Sequence, residues 1–443
     1  MAPARGPAPS SVVAPARGPA PSKIAPAREP APSKDPALSI GIASVLLEVP
    51  PGTPLGGYGS PSRRLFVPDL FGRTPHAFWL RPHEGQLDPL TARAVVLERG
   101  DVRVFWVAAD LVAVDRAFTA EVRRLLAEDV APGTLIISAS HTHSGPGSFM
   151  DSGLLGAVSI DRYDVAVRDA LATRVADAVR RADAVKQPGR IGVARVTAPA
   201  LTSGRLGHPV DREIVVINLT TASGAPLAVV WNYAIHGTML GPKNLRLSAD
   251  VMGAANAELE RTLGLPALFV NGAVGDVSPD RHGLPETQAA GRELAAAVAE
   301  GWTRAEPSRV TTLAVRTTQI ELPAPRVSLH NCLASWLPVR LTLPLGWALP
   351  RDAELIGVAL GPVAFVTVPG ELQSRLGRAI KDAARSEGRD AFVAGVSNDY
   401  LGYFVTPEDY QRTAYATCAS LYGADAGEAL TRAAMDLVRE LPR

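Results

Sequence analysis

Four segments of this sequence carry residue types whose spacing could do chemistry. In the first, the apolar run TLIISAS leads straight into His141-Thr142-His143-Ser144-Gly145-Pro146-Gly147. If the strand continues, histidines at i and i+2 point to one side and both approach one site. Ser-Gly-Pro-Gly then forces a turn, which puts the pair at a strand end, where open α/β sheets tend to bind ligands. Two of the chain's eight histidines share this strand end. Imidazoles so placed suit metal ligation or proton transfer, and two exposed loop histidines are the plainer alternative. In the second segment, LAVVWNYAIHGTML again runs an apolar strand into a histidine, His236, with Gly237 and Thr238 opening the turn. Taken alone, it reads as a satisfied buried histidine. Asp250, in LSADVMGAANAELE, is placed to cap the start of a helix.

The third segment, ALFVNGAVGDVSPD, is a strand followed by a glycine-punctuated loop, in which Ser278 stands where a nucleophile or a substrate-binding hydroxyl could be. Glycines there let the backbone approach a ligand and offer N–H donors. An ordinary loop with an Asx turn is the alternative. No Gly-x-Ser-x-Gly elbow occurs, which weakens a serine-hydrolase reading. His83-Glu84 lacks the second histidine of a zincin helix. In the fourth segment, VAFVTVPGE brings Glu371 to a strand end ahead of a helix, where helix electrostatics alone would stabilise a carboxylate. GVSNDYLGYFVTPEDYQRTAYATCASLYG then carries five of the eight tyrosines, with Gly and Asn frequent, as in a loop that lines a site.

These residues need a scaffold, and the pattern supplies one. SIGIASVLLEV, ARAVVLERG, VRVFWVAADLVAV, TLIISAS, EIVVINLTT, LAVVWNYAI, ALFVNGAV and GVALGPVAFVTV read as buried strands. TAEVRRLLAEDV, YDVAVRDALATRVADAVRRADA, VMGAANAELERTLG, TQAAGRELAAAVAEGWTRA and LQSRLGRAIKDAARSEG show apolar spacings of three and four and read as amphipathic helices. The alternation predicts an α/β fold: a single large domain over residues 38–443 with a mixed, mostly covered β-sheet, flanking helices and a metal site at strand ends. Residues 1–37 hold a threefold imperfect repeat of the type APARGPAPS, and alternating Ala and Pro predict a disordered, polyproline-like tail.

Bulk numbers exclude some classes. Hydrophobic residues are 47% and charged residues 20%, ordinary for a globular protein with a real core. The net charge of +1, with no basic block, gives no nucleic-acid footprint. No apolar run approaches the ~20 residues that span a bilayer. Two cysteines, Cys332 and Cys418, are too few for a disulfide scaffold; they could pair with each other, but buried free thiols are expected.

Read together, the segments resemble the neutral/alkaline non-lysosomal ceramidase family. The resemblance runs in order through GGYG at Gly56 to Gly59, HTHSGPG, SGRLGHPVDREIVVINL, NYAIHGTM, LSADVMG, NGAVGDVSP, VPGE and NDYLGY…YATCASLYG. It covers most of residues 39–425. It implies a zinc cofactor with His141, His236, Glu371 and Tyr403 as ligands, and His143, Arg205 and Tyr415 lining the head-group pocket. Gly57 matches a backbone position at the pocket, and Ser278 matches the serine once regarded as the family's nucleophile. The implied activity is zinc-dependent hydrolysis of the N-acyl amide bond of ceramide or a related lipid amide, giving fatty acid and amine. A smaller amide or ester as substrate is an alternative, as is an inactive lipid-binding relative. The implied partner is the lipid amide itself, with possible peripheral membrane contact and no nucleic acid.

The sequence also departs from the family. No C-terminal β-sandwich follows EALTRAAMDLVREL, and the stretch from Ser278 to Glu371 is short. PSRRLFVPDLFGRTPHAFWLRPH, after GGYG, brings in Phe66, Phe71, Phe78 and Trp79 as a lid over an acyl pocket or as packing over a sheet edge. Members of the family are usually secreted or periplasmic, whereas no signal peptide is visible here, so the compartment is left open.

Overall fold

A computed structural model of the chain describes residues 1–2, 6, 36–127, 129–346 and 348–442. The repeat tail expected over residues 1–37 lies almost wholly outside the described residues. From Ala37 onward the chain forms one compact unit.

The strands are β1 (Ser39–Leu46), β2 (Thr91–Arg99), β3 (Val102–Ala109), β4 (Thr134–Ala139), β5 (Gln187–Thr197), β6 (Thr202–Gly204), β7 (Glu213–Thr221), β8 (Pro226–Tyr233) and β9 (Ala267–Asn271). After them come β10 (Val277–Pro279), β11 (Leu313–Glu321), β12 (Arg326–Ser328), β13 (Thr342–Pro344), β14 (Asp352–Leu360), β15 (Val363–Thr367), β16 (Glu371–Leu372), β17 (Asp390–Ala394) and β18 (Tyr403–Phe404). The helices are α1 (Arg116–Leu126), α2 (Gly153–Leu155), α3 (Val165–Ala184), α4 (Asp250–Leu263), α5 (Leu284–Arg304), α6 (Leu329–Cys332), α7 (Ser374–Ser386), α8 (Tyr415–Cys418) and α9 (Ala426–Glu440).

Eight strands form one sheet in the order β4-β3-β2-β1-β5-β7-β8-β9. Only β3 with β4 and β8 with β9 pair in parallel within it, so the sheet is mixed. A second sheet, β11-β14-β15-β17, packs on its face. The strand sequences explain the layering. In β2, Ala92, Ala94 and Val96 meet α1 and α3, while Val95 and Leu97 face the second sheet. Burial on both sides is why such strands read as continuous apolar runs instead of alternating. Trp106 of β3 stacks on Phe365 of β15 at 4.4 Å between the sheets. Beyond the second sheet, Leu376 and Ile380 of α7 and Leu430 and Leu437 of α9 cover its outer face. The result is four layers: helices, sheet, sheet, helices. The mixed sheet and flanking helices expected from the alternation are present, with a second sheet inserted between helix layers.

Local sequence sets the element ends. Asp115 caps α1 by accepting from Phe118 N at 2.8 Å, and Asp164 caps α3 by accepting from Ala166 N at 2.8 Å. Residues 357–368, which read as one strand, are the hairpin of β14 and β15. Gly361 takes φ 56° at its turn, and Pro362 follows, so the chain reverses. The cysteines are not free thiols. Cys332 and Cys418 form a disulfide that ties α6 to α8. Among the described residues, no helix is long and apolar enough to cross a membrane.

Candidate metal and substrate site

The first histidine pair owes its position to a break in the strand, not to its continuation. β4 ends at Ala139, and His141 takes φ 68°, a left-handed conformation that is uncommon for residues other than glycine. Backbone bonds hold it there: His141 N donates to Leu111 O at 2.9 Å. Thr142 then pairs with Gly237 across a one-residue bridge, His143 N donating to Gly237 O at 2.9 Å and Gly237 N to His141 O at 3.2 Å. A Cβ at Gly237 would come within 2.6 Å of His141 O and 2.7 Å of Thr142 Cα, so only glycine lets the two histidine-bearing turns approach this closely.

Asn271, at the end of β9, holds both turns from below. Its buried Nδ2 donates to Ser140 O and to Ile235 O, each at 3.0 Å, so one amide fixes the residue before His141 and the residue before His236. Asp250 does not cap α4 from outside, because it is the helix's own first residue. Its carboxylate accepts from Met239 N and Leu240 N at 3.2 and 3.1 Å and so anchors the turn that follows His236.

Glu371 and Tyr403 arrive from the other side of the site. They are register partners in the short parallel ladder of β16 and β18, with Glu371 N donating to Gly402 O at 2.9 Å. Both are buried. Tyr400 donates its hydroxyl to Glu371 Oε1 at 2.6 Å and fixes the carboxylate.

The donor chemistry at the centre fits a cation. His141 Nδ1 lies 2.6 Å from Val112 O and His236 Nδ1 lies 2.7 Å from Val277 O. A carbonyl only accepts, so each Nδ1 carries the hydrogen and each Nε2 is left as a bare lone pair. Those lone pairs face Glu371 Oε1 at 3.3 Å and Oε2 at 3.0 Å, and Tyr403 Oη lies 3.4 Å from His236 Nε2. Acceptors confronting acceptors in a dry pocket repel unless a positive ion lies among them. The ring nitrogens of His141, His143 and His236 lie within 4.8 Å of one another, so His143 is a third imidazole at the same point.

Burial sets the protonation states. It drives the His236 imidazole down to about 3, with the nearby Arg205 guanidinium adding to the effect, and it holds His143 well below the ordinary imidazole range. Both are neutral at pH 7, as metal ligation or proton acceptance requires. Tyr403 and Tyr400 are pushed well above the usual phenol range by burial and then by the Glu371 charge.

The remaining sequence candidates gather around this centre. Arg205 Nε donates to Ser278 Oγ at 2.6 Å, and β10 pairs Ser278 with Ser203 of β6. Gly57, at φ 101°, lies flat on the His143 ring, where a Cβ would come within 2.7 Å of Nδ1. Tyr415 packs edge-on against Tyr403 at 5.6 Å, with most of its own surface exposed. Thus His141, His143, His236, Glu371, Tyr403, Ser278, Arg205, Gly57 and Tyr415 all converge. A cavity of about 230 Å³ opens on the centre, lined mainly by apolar side chains such as Val112, Met150, Leu155, Val158, Val327 and Leu421.

Four residues at the site escaped the sequence reading. Tyr400 belongs to the NDYLGY motif, and Asn271 opens NGAVGDVSP, so the motifs that pointed to their neighbours also pointed to them. Tyr58, 4.9 Å from the His143 ring, stands inside GGYG. Arg63 is 1% exposed, donates to His143 O at 3.1 Å and lies 5.1 Å over the Tyr58 ring. Burial lowers its guanidinium to about 10. It begins the segment expected as a lid or as edge packing. Within that segment Phe78 and Trp79 are half-buried against each other, whereas Phe66 and Phe71 are exposed.

Residues 82–295 match the family signature of the neutral/alkaline non-lysosomal ceramidases, N-terminal part. Neutral ceramidase B of Dictyostelium discoideum is 24% identical over 222 residues, covering 43% of this chain and 31% of that protein. Neutral ceramidase 3 of Arabidopsis thaliana is 33% identical over 88 residues, covering 18% of this chain and 12% of that one. The chain therefore aligns with about a third or less of the curated relatives' length. The crystal structure of neutral ceramidase from Pseudomonas aeruginosa superposes with a TM-score of 0.75 at 20% identity, over 93% of this chain and 76% of that one. In signature over residues 82–295, in aligned sequence and in fold, the chain is similar to the neutral/alkaline non-lysosomal ceramidases.

Proposed function

We propose that this protein is a zinc-dependent amidohydrolase that cleaves the N-acyl bond of ceramide or a related lipid amide. The observation that carries this reading is the pair of bare Nε2 atoms on His141 and His236 facing both oxygens of Glu371 at the floor of an apolar cavity. Two imidazoles, a carboxylate and a phenol oxygen form a donor set that suits zinc, with His141, His236, Glu371 and Tyr403 holding it. When bound, zinc supplies Lewis-acid polarisation of an amide carbonyl and makes water acidic near neutral pH.

The chain's own residues account for the rest. His143 is neutral and stands at the centre beside His141 and His236, so its imidazole is placed to take a proton and return it to the departing amine. Tyr400 keeps Glu371 in place through its hydroxyl bond. Tyr415, at the mouth, offers a phenol O–H to the oxygen of the scissile carbonyl. Ser278 Oγ accepts from a guanidinium and has no base beside it, which favours substrate binding over covalent attack. The hydroxyl then keeps its own proton for a head-group oxygen.

The size of the cavity favours a short chain, or a long one only partly enclosed. Its volume of about 230 Å³ lies below the range of roughly 300–1,000 Å³ common for drug-sized ligands. The test is zinc content by elemental analysis, together with hydrolysis of N-acyl sphingosines of rising acyl length. About one zinc per chain, lost with activity in His236→Ala, supports the reading. Stoichiometric zinc with turnover of short soluble amides alone would move the substrate to the smaller class. A chain that takes up no zinc would end the proposal.

A further inference from the structure

One wall of the cavity is held by a residue that does not line it. Leu154, Leu155, Val158, Ser159 and Ile160 all line the cavity. They belong to a single short segment, α2 and the wide π-helical turn Gly156–Ile160 that continues it. Ala157, within that turn, is exposed, and among the described residues no other helix or strand packs closely along the segment. Loop contacts hold it instead. Gly57 N donates to Ser159 O at 2.8 Å, and Ser148 N donates to Ile160 O at 2.6 Å. Arg64 adds a side-chain grip: its Nη2 donates to Ala157 O and Val158 O, both at 2.8 Å, and its Nε donates to Gly59 O at 3.1 Å. A helix leaves the carbonyls of its last turn without intrahelical donors, and a guanidinium offers donors in a fixed fork that can satisfy them.

Arg64 grips the wall from an anchored base. It pairs with Leu80 across a one-residue bridge, and Leu65 N donates to Trp79 O at 3.0 Å. Phe78, Trp79 and Leu80 in turn donate their backbone N–H groups to one carboxylate, that of Asp161, at 3.0, 2.9 and 2.9 Å. Asp161 is fully buried and directly follows the wall in sequence. The arrangement therefore closes on itself: Asp161 holds residues 78–80, that stretch holds Arg64, and Arg64 holds the turn that leads into Asp161. None of residues 60–82 lines the cavity, so this segment acts on the wall and not on the contents.

We propose that Arg64 is a specificity-determining positioning residue: its grip on Ala157 and Val158 holds the wall in and so limits the length of acyl chain that the cavity takes. The proposal rests on the lipid-amide reading above, which makes this apolar cavity the acyl site. A chain that outgrows the cavity gains nothing from further methylenes, whereas each methylene newly enclosed adds its own transfer free energy. With Arg64 removed, the exposed turn loses this tie and can move outward, so longer chains gain relative to short ones. A merely structural arginine would weaken every chain length alike.

The experiment measures, on the full chain, the affinity for saturated fatty acids from hexanoate to palmitate by calorimetry. It compares wild type with Arg64→Ala, Arg64→Lys and Leu155→Ala, and thermal midpoints show that each is folded. Hydrolysis of the matching N-acyl amides is followed alongside. Wild-type affinity should rise with chain length and then level off. In Arg64→Ala the levelling should move to longer chains, so that palmitate gains at least about tenfold relative to hexanoate, the worth of about two further buried methylenes. Arg64→Lys, whose ammonium can keep a carbonyl but not the fork, should fall between the two. Leu155→Ala should lengthen the preference with the arginine in place. An unchanged length profile in Arg64→Ala, an even loss at all lengths, or no fatty-acid binding by wild type overturns the proposal. Affinity is read without turnover, so a protein that shows the shift but hydrolyses no amide keeps the wall and ends the hydrolase reading. One that hydrolyses lipid amides with the same length profile in wild type and Arg64→Ala does the reverse.

Discussion

His141 and His236 are held by the same side chain: the Asn271 amide donates to the carbonyl before each of them, Ser140 O and Ile235 O, at 3.0 Å. The two imidazoles come from far-apart strands of the eight-stranded sheet order, one after edge strand β4 and one after β8, the neighbour of the other edge strand. Their separation therefore depends on one buried amide and on the bridge between Thr142 and Gly237.

Replacing that amide tests the dependence. Asn271→Asp keeps the shape but sets carboxylate oxygens against two carbonyls, leaving buried acceptors without donors. A loss of about 2–4 kcal/mol in unfolding free energy is expected, with zinc affinity weakened by roughly 10- to 100-fold. Urea unfolding and chelator competition measure the two effects. A variant with wild-type metal affinity would mean that the bridge alone positions the histidines.

Gly237→Ala tests the bridge. The added methyl would press on His141 O and on Thr142 Cα, so the turns must part by several tenths of an ångström. The expected cost is about 1–3 kcal/mol, the usual penalty for overpacking. Turnover should fall more than stability, because the displaced atoms belong to the ligand-bearing turns. Paired urea melts and kcat measurements separate the two losses.

The disulfide is expected to contribute through the loop it closes. Cys332 and Cys418 are 86 residues apart, and a loop of that length corresponds to about 4.6 kcal/mol in a chain-entropy estimate. Cys332→Ser/Cys418→Ser should lower the thermal midpoint accordingly. Because Cys418 ends the helix that begins at Tyr415, the variant should also raise KM more than it lowers kcat. An unchanged KM would separate the cross-link from the pocket wall.

Asp250 gives a pH dependence with a fixed sign. Burial raises its carboxyl from 3.8 to about 6, only partly offset by N–H donors from Leu240, Val251 and Met239. The folded state therefore keeps the proton longer than the unfolded state does. Stability from this group is full below about pH 4 and is lost as pH rises through 6, by roughly 3 kcal/mol. In Asp250→Asn this slope should vanish, so the stability difference between variant and wild type should shift in the variant's favour from pH 4 to pH 7. Urea midpoints across that range check it, and parallel curves would show that Asp250 titrates normally.

Much of the site was legible because its ligands follow apolar strands. His141, His236 and Glu371 each come directly after a Val- or Ile-rich run, and strand ends are where a sheet presents side chains to a ligand. Other features left no local signal. The left-handed backbone of His141 comes from hydrogen bonds to Leu111 and Val112, just past β3, and from Gly237, both distant in sequence. β5 and β11 were not among the segments read as strands. QPGRIGVARVT and LAVRTTQIE mix glycine, arginine and threonine among few apolar residues, since each keeps part of its surface exposed. Arg63 was read as part of an aromatic insert because a buried guanidinium looks like a surface charge until its carbonyl partners are seen. The choice between paired and free cysteines goes to pairing because α6 and α8 meet, and nothing at either cysteine announces that.

The centre is also divided along the chain in a useful way. His141 and His236 precede residues 305–312, the connection between α5 and β11, and Glu371 and Tyr403 follow it. A chain cut at that connection would give two fragments, each with half of the donors and one face of the inter-sheet core. Reassociation would then be a two-component sensor: the sheets supply the contact surface, and zinc, by needing donors from both pieces, reports that the pieces have met.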